Sequence, residues 1–387
     1  MANGNQHPIR ILHVVGGMNR GGIETWLMHV LRHIDRDRFQ MDFLVHTDKP
    51  CAYDDEIRAL GSRIIPCLQP SKPWLYARNF QRILHEYGLY DIVHSHVHHF
   101  SGYILLLANQ AGVSIRIAHS HLDSSSLEAK AIWKRSLYLA VMKRWINLYA
   151  TTGLACSRKA TSLFGLPWEK DPRWQLLYCG IDLKAFQTVL DPMSVRAEFG
   201  IPEDAFVIGH VGRFEQQKNH HFLLEIITEV VKRESNIRLL LVGDGSLHPD
   251  IEQKVLQMGL TDYVIFAGSR HDVPRLMRGA MNVFLFPSLF EGLGLVLIEA
   301  QAAGLPCILS DVIPEEVDVI KPLMHRLSIS QPASIWAEVI LKSKNNQLKI
   351  TPTETLKLVD ESVLNIQAST KKLENIYLLE SSKLVNK

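Results

Sequence analysis

Two hydrophobic spacings alternate along this chain. Short apolar runs, RILHVV (10–15), QMDFLVH (40–46), YDIVHSH (90–96) and SIRIAHS (114–120), read as buried strands. The segment GGIETWLMHVLRHI (21–34) carries helical spacing behind a glycine-rich entry, and TGLACS (152–157) and WQLLYCGID (174–182) extend the strand series. After a polar stretch around Asp191–Asp204 the pattern restarts. FVIGHVGRF (206–214), IRLLLVGDG (237–245), VIFAGS (264–269), NVFLFPS (282–288) and PCILS (306–310) read as strands; HHFLLEIITEVVKR (220–233) and LVLIEAQAAG (295–304) read as helices. Strand-then-helix repetition predicts an α/β protein with parallel, doubly wound sheets, here two tandem Rossmann-like domains. Boundaries are expected at 1–190 and 191–360. The segment 361–387, amphipathic and carrying Tyr377, is expected to form a terminal helix that crosses back to the first domain.

Length agrees with that division, since 387 residues exceed one ordinary core. A formal net charge of +2 gives no support for nucleic-acid binding, so any basic surface is local. Cys51, Cys67, Cys156, Cys179 and Cys307 are scattered without a CxxC, which points to reduced thiols and a cytoplasmic protein. MANGNQHP at the start has no apolar core, so no signal peptide is visible. The uncharged run Ile92–Ile115 contains four histidines and is a poor membrane span. Attachment to the cytoplasmic face of a membrane stays open.

Three loops carry candidate chemistry. GGMNRGG (16–22) joins the first strand to its helix; glycines let a backbone approach an anion at a helix N-terminus, although such a joint needs glycine in any case. Its spacing is not the dinucleotide fingerprint G-x-G-x-x-G. GRFEQQKN (212–219) holds the equivalent place in the second half, where Arg213 and Lys218 either converge on a diphosphate or stand as two solvated cations. FPSLFEGLGLVLIEAQAAGLP (286–306) places Glu291 in a loop and Glu299 about one turn into an apolar helix. Carboxylates there suit sugar hydroxyls; the plain alternative is a dipole-favouring Glu and a surface Glu.

Two further features are ambiguous on their own. HSHVHH (94–99) and HSH (119–121) sit at strand ends and fit ligand contacts, simple structure, or a zinc site with Asp123 as an added ligand. WKRSLYLAVMKRWINLY (133–149) mixes Lys134, Arg135, Lys143 and Arg144 with Trp133 and Trp145. That mixture suits an anionic membrane surface or an ordinary half-buried helix.

Taken together, GGIE (21–24), TTGLACS (151–157), LLYCGID (176–182), GRFEQQKN, LLLVGDGSL (239–247), VIFAGSRHDV (264–273) and the E-x7-E run from Glu291 to Glu299 resemble retaining glycosyltransferases of family 4. Within that family the chain is most similar to bacterial exopolysaccharide and capsule enzymes of the EpsF type. The resemblance implies the GT-B architecture, two Rossmann-like domains whose parallel sheets face across a cleft. It implies transfer of a hexose or N-acetylhexosamine from a nucleotide-diphosphate sugar, with UDP the expected nucleotide, to a glycan on a polyprenyl-diphosphate lipid. No metal or other cofactor is required by it. Arg213 and Lys218 would hold the diphosphate, Glu291 the donor sugar beside the backbone of Gly292, Leu293 and Gly294, and Glu299 the ribose. Gly21 and Gly22 would approach the phosphate, His121 would be the active-site histidine, and backbone at Ser269 and Arg270 would meet the base. Cys179 stands where the family often has Asn, a departure that touches a local turn. Rival expectations are a GT-B-shaped epimerase or hydrolase, a metal-dependent hydrolase using the H-x-H pairs, and a non-catalytic nucleotide-sugar sensor.

Overall fold

The computed structural model describes residues 7–88, 90–123, 128, 132–165, 168–345 and 350–385. The chain divides into two compact units, Met1–Gly180 with Ile366–Lys387, and Ile181–Asn365. The expected boundaries at 190/191 and 360/361 therefore differ from the observed ones by five to ten residues. The cause is local. Ile181 N donates to Leu364 O at 2.9 Å, and Arg278 Nη1 donates to Thr188 O at 2.6 Å, which fastens the connecting stretch to the second unit.

Unit 1 is a parallel seven-stranded sheet made of β1 (Ile9–Val15), β2 (Phe39–Val45), β3 (Ile64–Pro66), β4 (Ile92–Ser95), β5 (Ile115–Ser120), β6 (Thr152–Ala155) and β7 (Trp174–Leu176). Their spatial order is β3-β2-β1-β4-β5-β6-β7. Alternation along β1 sends Leu12 and Val14 to one face, where they pack with Leu44, Tyr76, Phe80 and Ile104. His13 points the other way, level with its register partner His94 on β4. That second face is covered by the helices Gly22–His33 and Ile366–Val385, through Trp26 and Tyr377, both fully buried. Hydrogen bonds fix the terminal helix there: Trp26 Nε1 to Ser369 Oγ at 3.2 Å, Ser369 Oγ to Tyr178 O at 2.8 Å, and Asp35 N to Glu374 Oε1 at 2.9 Å.

Unit 2 is a parallel six-stranded sheet of β8 (Phe206–Val211), β9 (Ile237–Val242), β10 (Val264–Gly268), β11 (Val283–Phe286), β12 (Cys307–Ser310) and β13 (Met324–Leu327). The order is β10-β9-β8-β11-β12-β13. A core of Ile208, Leu223, Ile227, Leu239, Leu241, Leu285 and Trp336 seals one face. In each unit the strand order reverses beside the first strand, between β1 and β4 and between β8 and β11. Open α/β sheets place their ligands beyond the carboxyl ends of the strands at such a reversal.

Candidate functional site

The loops that leave β8 and β11 meet at the switch point of unit 2. Lys218 Nζ stands 2.6 Å from Glu291 Oε1, and their side chains are only 16% and 8% exposed. The ammonium also sits 4.6 Å above the centre of the Phe286 ring, a cation–π contact in a partly dehydrated place. Three further bonds lock the two loops: Leu289 N to Gln217 O at 2.9 Å, Gln217 Nε2 to Phe290 O at 2.9 Å, and Asn219 Nδ2 to Pro287 O at 3.2 Å. Asn219 holds φ 56° and ψ 44° as it opens the helix His220–Val231; a short amide side chain tolerates that left-handed conformation. Gln217 and Asn219 escaped the sequence reading, although an Asn at a loop-to-helix joint is a legible signal for such a turn.

The loop after β9 braces the first of these. Phe214 N donates to Asp244 O at 3.0 Å and Leu247 N to Phe214 O at 2.9 Å. Gly243 has φ 140°, and a Cβ there would lie 2.1 Å from Gly212 O, so this close backbone approach is open only to glycine. Arg213 is exposed, and its guanidinium has no partner among the described residues. The structure thus brings Lys218 to Glu291 directly and leaves Arg213 on the same loop turned to solvent.

Gly294 begins the helix Leu295–Ala302 with φ 92°, and no side chain caps it. Its first-turn N–H groups and the loop 291–294 lie together beyond β11. One turn further in, Glu299 is half-buried, and burial pushes its carboxyl up to about 7. Ser269 and Arg270 follow β10. The Arg270 guanidinium bonds Asp272 and Glu198, each at 2.8 Å, so its side chain is already engaged.

In unit 1, Gly22 starts the helix Gly22–His33 and Thr25 N donates to Gly21 O at 2.8 Å. His121 lies just past β5. Both of its ring nitrogens face partners: Nε2 is 2.9 Å from His96 Nδ1, and Nδ1 is 3.8 Å from Cys179 Sγ. Burial lowers its imidazole to about 3, so it is neutral. His13, His94, His96 and His119 share its face and are buried, with burial again the first cause of lowered values. Cys179 therefore matters beyond its turn, and Tyr377 reaches His94 Nδ1 at 2.7 Å. Neither contact could be read from periodicity. Asp123 does not join this group; its Oδ1 accepts from Ser162 Oγ at 3.4 Å.

Of the basic residues on the helix Trp133–Tyr149, Lys143 is tied down, 2.6 Å from Glu128 Oε2 and 3.0 Å from Ser162 O. The amino-terminal end is different. Ile132, Trp133, Leu137 and Tyr138 are exposed, Trp133 by 72%, beside exposed Lys134 and Arg135. Among the described residues no helix is long and apolar enough to cross a membrane.

Comparison with known proteins gives concordant matches. Residues 20–185 match the model of Glycosyltransferase Family 4, and residues 205–341 match that of Glycosyl transferases group 1. The chain is 42% identical over 346 residues to a putative glycosyltransferase, EpsF, of Bacillus subtilis, covering 88% of each chain. It is 26% identical over 323 residues to the Escherichia coli UDP-Gal:alpha-D-GlcNAc-diphosphoundecaprenol alpha-1,3-galactosyltransferase, covering 79% of this chain and 80% of that one. Among solved structures, Anabaena Alr3699/HepE in complex with UDP and glucose superposes with a TM-score of 0.80 at 19% identity, over 95% of this chain and 99% of that chain.

Proposed function

This chain belongs to glycosyltransferase family 4 and has the GT-B fold, and on that footing we propose that it moves a hexose or N-acetylhexosamine from a nucleotide-diphosphate sugar to a lipid-linked glycan, with retention, in surface polysaccharide biosynthesis. One observation carries the reading: Lys218 and Glu291, from different loops, are held together at the switch point of unit 2. Lys218 and Arg213 neutralise the diphosphate, and Glu291 accepts hydrogen bonds from hydroxyls of the donor sugar. The N–H groups opening the helix at Leu295 suit a phosphate or sugar oxygen. Glu299 takes the ribose hydroxyls. Ser269 and Arg270 offer backbone to the base. From unit 1, the start of the helix at Gly22, with Gly21, takes an anionic group, while His121 is a neutral contact fixed by its neighbours.

No firm carboxylate nucleophile emerges from these residues, which favours a front-face route. The bond from the anomeric carbon to the diphosphate oxygen breaks while the acceptor oxygen attacks the same face, and its proton passes to the departing phosphate. The two cations stabilise the charge that develops on that phosphate. This neutralisation requires no metal at the diphosphate. UDP is the proposed nucleotide, supported by the UDP-bound neighbour and the UDP-galactose-dependent relative. The same relative, which acts on a diphosphoundecaprenol-linked sugar, supports the lipid-linked acceptor. A thermal-shift screen with UDP-, GDP- and ADP-sugars tests the donor. Transfer to a polyprenyl-diphosphate sugar, with the new anomeric configuration read by proton NMR, tests the reaction. Inversion, or donor hydrolysis that ignores the acceptor, would overturn it.

A further inference from the structure

Unit 1 reverses its strand order between β1 and β4, and open sheets take their ligands beyond the carboxyl ends of the strands at such a point. The loop that leaves β1 there, residues 16–21, carries a single cation, Arg20. The loop itself is tied down. His46 N donates to Gly16 O at 3.0 Å, Tyr53 N to Met18 O at 3.0 Å, and Ala52 N to Asn19 Oδ1 at 3.1 Å. A Cβ at Gly17 would lie 3.0 Å from Thr47 Cγ2, so the segment 46–53 packs closely against it. Arg20 therefore projects from a fixed backbone.

Its guanidinium carbon lies 5.8 Å over the centre of the Tyr53 ring, and the Tyr53 hydroxyl is 2.9 Å from Thr25 Oγ1. That aromatic seat limits how the guanidinium can turn. The side chain is half-buried. Of its three nitrogens only Nε is shut off from solvent, and it has no hydrogen-bond partner. Among the described residues no carboxylate or carbonyl meets Nη1 or Nη2 either. The other half-buried arginines of the unit are satisfied: Arg10 donates to Tyr87 O, Arg116 to Tyr149 O and Arg173 to Asp171 Oδ2, each at 2.7 Å. Arg20 is the exception. A side chain at Gly21 would run into the Glu24 carboxylate, so an anion at this loop needs a cation beside that acid.

We propose that Arg20 binds the diphosphate of the lipid-linked acceptor. A charge drawn partly out of water without a partner is unfavourable, and a guanidinium fork fits phosphate oxygens. The inference rests on the transfer reading, in which two anionic substrates meet the protein. Arg213 and Lys218 in unit 2 serve the donor diphosphate, and the acceptor diphosphate needs a cation of its own. Arg20 stands in the other unit, at its switch point, seated on Tyr53 and unpaired.

The test uses the full chain and farnesyl diphosphate, a short polyprenyl diphosphate, with binding measured by calorimetry at saturating UDP so that the donor diphosphate place is filled. Expected are binding by the wild type, none of farnesol, and an affinity about 10–100-fold weaker in Arg20→Ala, with Arg20→Lys between the two. The melting temperature of Arg20→Ala does not fall, and its affinity for UDP alone stays within about twofold of the wild type, against the tenfold that loss of a charged hydrogen bond brings. In transfer assays its KM for a polyprenyl-diphosphate sugar rises about 10–100-fold while the donor KM holds. Farnesyl diphosphate that does not bind the wild type, or that binds Arg20→Ala equally well, overturns the proposal. A loss confined to UDP affinity overturns it as well and gives Arg20 to the donor. Failure of the transfer reading is distinguishable: a chain that inverts, or only hydrolyses its donor, still loses farnesyl diphosphate with Arg20, whereas retaining transfer with an unchanged acceptor KM in Arg20→Ala sinks this inference alone.

Discussion

Lys218 Nζ and Glu291 Oε1 are 2.6 Å apart, although 73 positions separate them in the chain. The contact exists because β8 and β11 are neighbours in the sheet, which sets the loop after each strand beside the other. On the proposed function, an anionic donor entering this place would exchange part of the pairing for its own contact with Lys218.

Removing either member is expected to do different things to stability and similar things to turnover. Lys218→Ala leaves a buried carboxylate without its ammonium and costs about 1–3 kcal/mol. Glu291→Ala frees the ammonium, which still has Phe286, and costs less. Each lowers sugar transfer by at least ~10²-fold in a folded protein. Melting curves and initial rates on purified variants check both halves, and near-wild-type turnover in either would remove that residue from the site.

Glu299 makes stability and binding depend on pH. Its carboxyl rises from the ordinary 4.5 to about 7 in the fold, so the folded chain holds a proton that the unfolded chain releases between these values. Stability therefore falls as pH rises through that window, by up to about 3 kcal/mol less whatever solvent access offsets. Glu299→Gln flattens the dependence in urea titrations from pH 4 to 8. Ribose hydroxyls donate to the ionised form, so UDP affinity measured by calorimetry strengthens from pH 6 to 8 in the wild type and does not in Glu299→Gln.

Asn219 combines a left-handed conformation with a bond to Pro287 O. Asn219→Val meets the steric cost of positive φ and loses the bond, destabilising the chain by about 1–3 kcal/mol. Asn219→Gly keeps the conformation and loses only the bond. Chemical denaturation should rank wild type, then Gly, then Val; equal values for Gly and Val would show that the conformation carries no strain.

The exposed start of the helix Trp133–Tyr149 is proposed to meet an anionic membrane surface. Trp133 and Leu137 supply apolar contact, and Lys134 and Arg135 supply charge. In flotation with liposomes containing anionic lipid, the wild type rises with the vesicles and Lys134→Glu with Arg135→Glu does not. Lys143 makes a poor probe because its charge is already met by Glu128. Equal flotation of both proteins would dismiss the surface.

The order of strands and helices is written locally. A run such as RILHVV needs burial on both faces, and GGIETWLMHVLRHI needs it on one, so each announces its element without its partners. The same holds for the glycines at 292 and 294 and for the E-x7-E spacing, which place both carboxylates on a loop and the helix it opens. Strand order is another matter. Pairing of β8 with β11 joins segments some seventy residues apart, and no periodicity encodes which buried run lies beside which. The short edge strands Ile64–Pro66 and Met324–Leu327 have too few residues to show a period, and the bracing of Gly212 by Gly243 depends on that same sheet order. The terminal helix was legible as amphipathic, but Tyr377 finds His94 only through packing. The sequence alone determined which side chains stand at strand ends. Tertiary structure decided which of them share a place, because hydrophobic burial is read along the chain while neighbours are chosen across it.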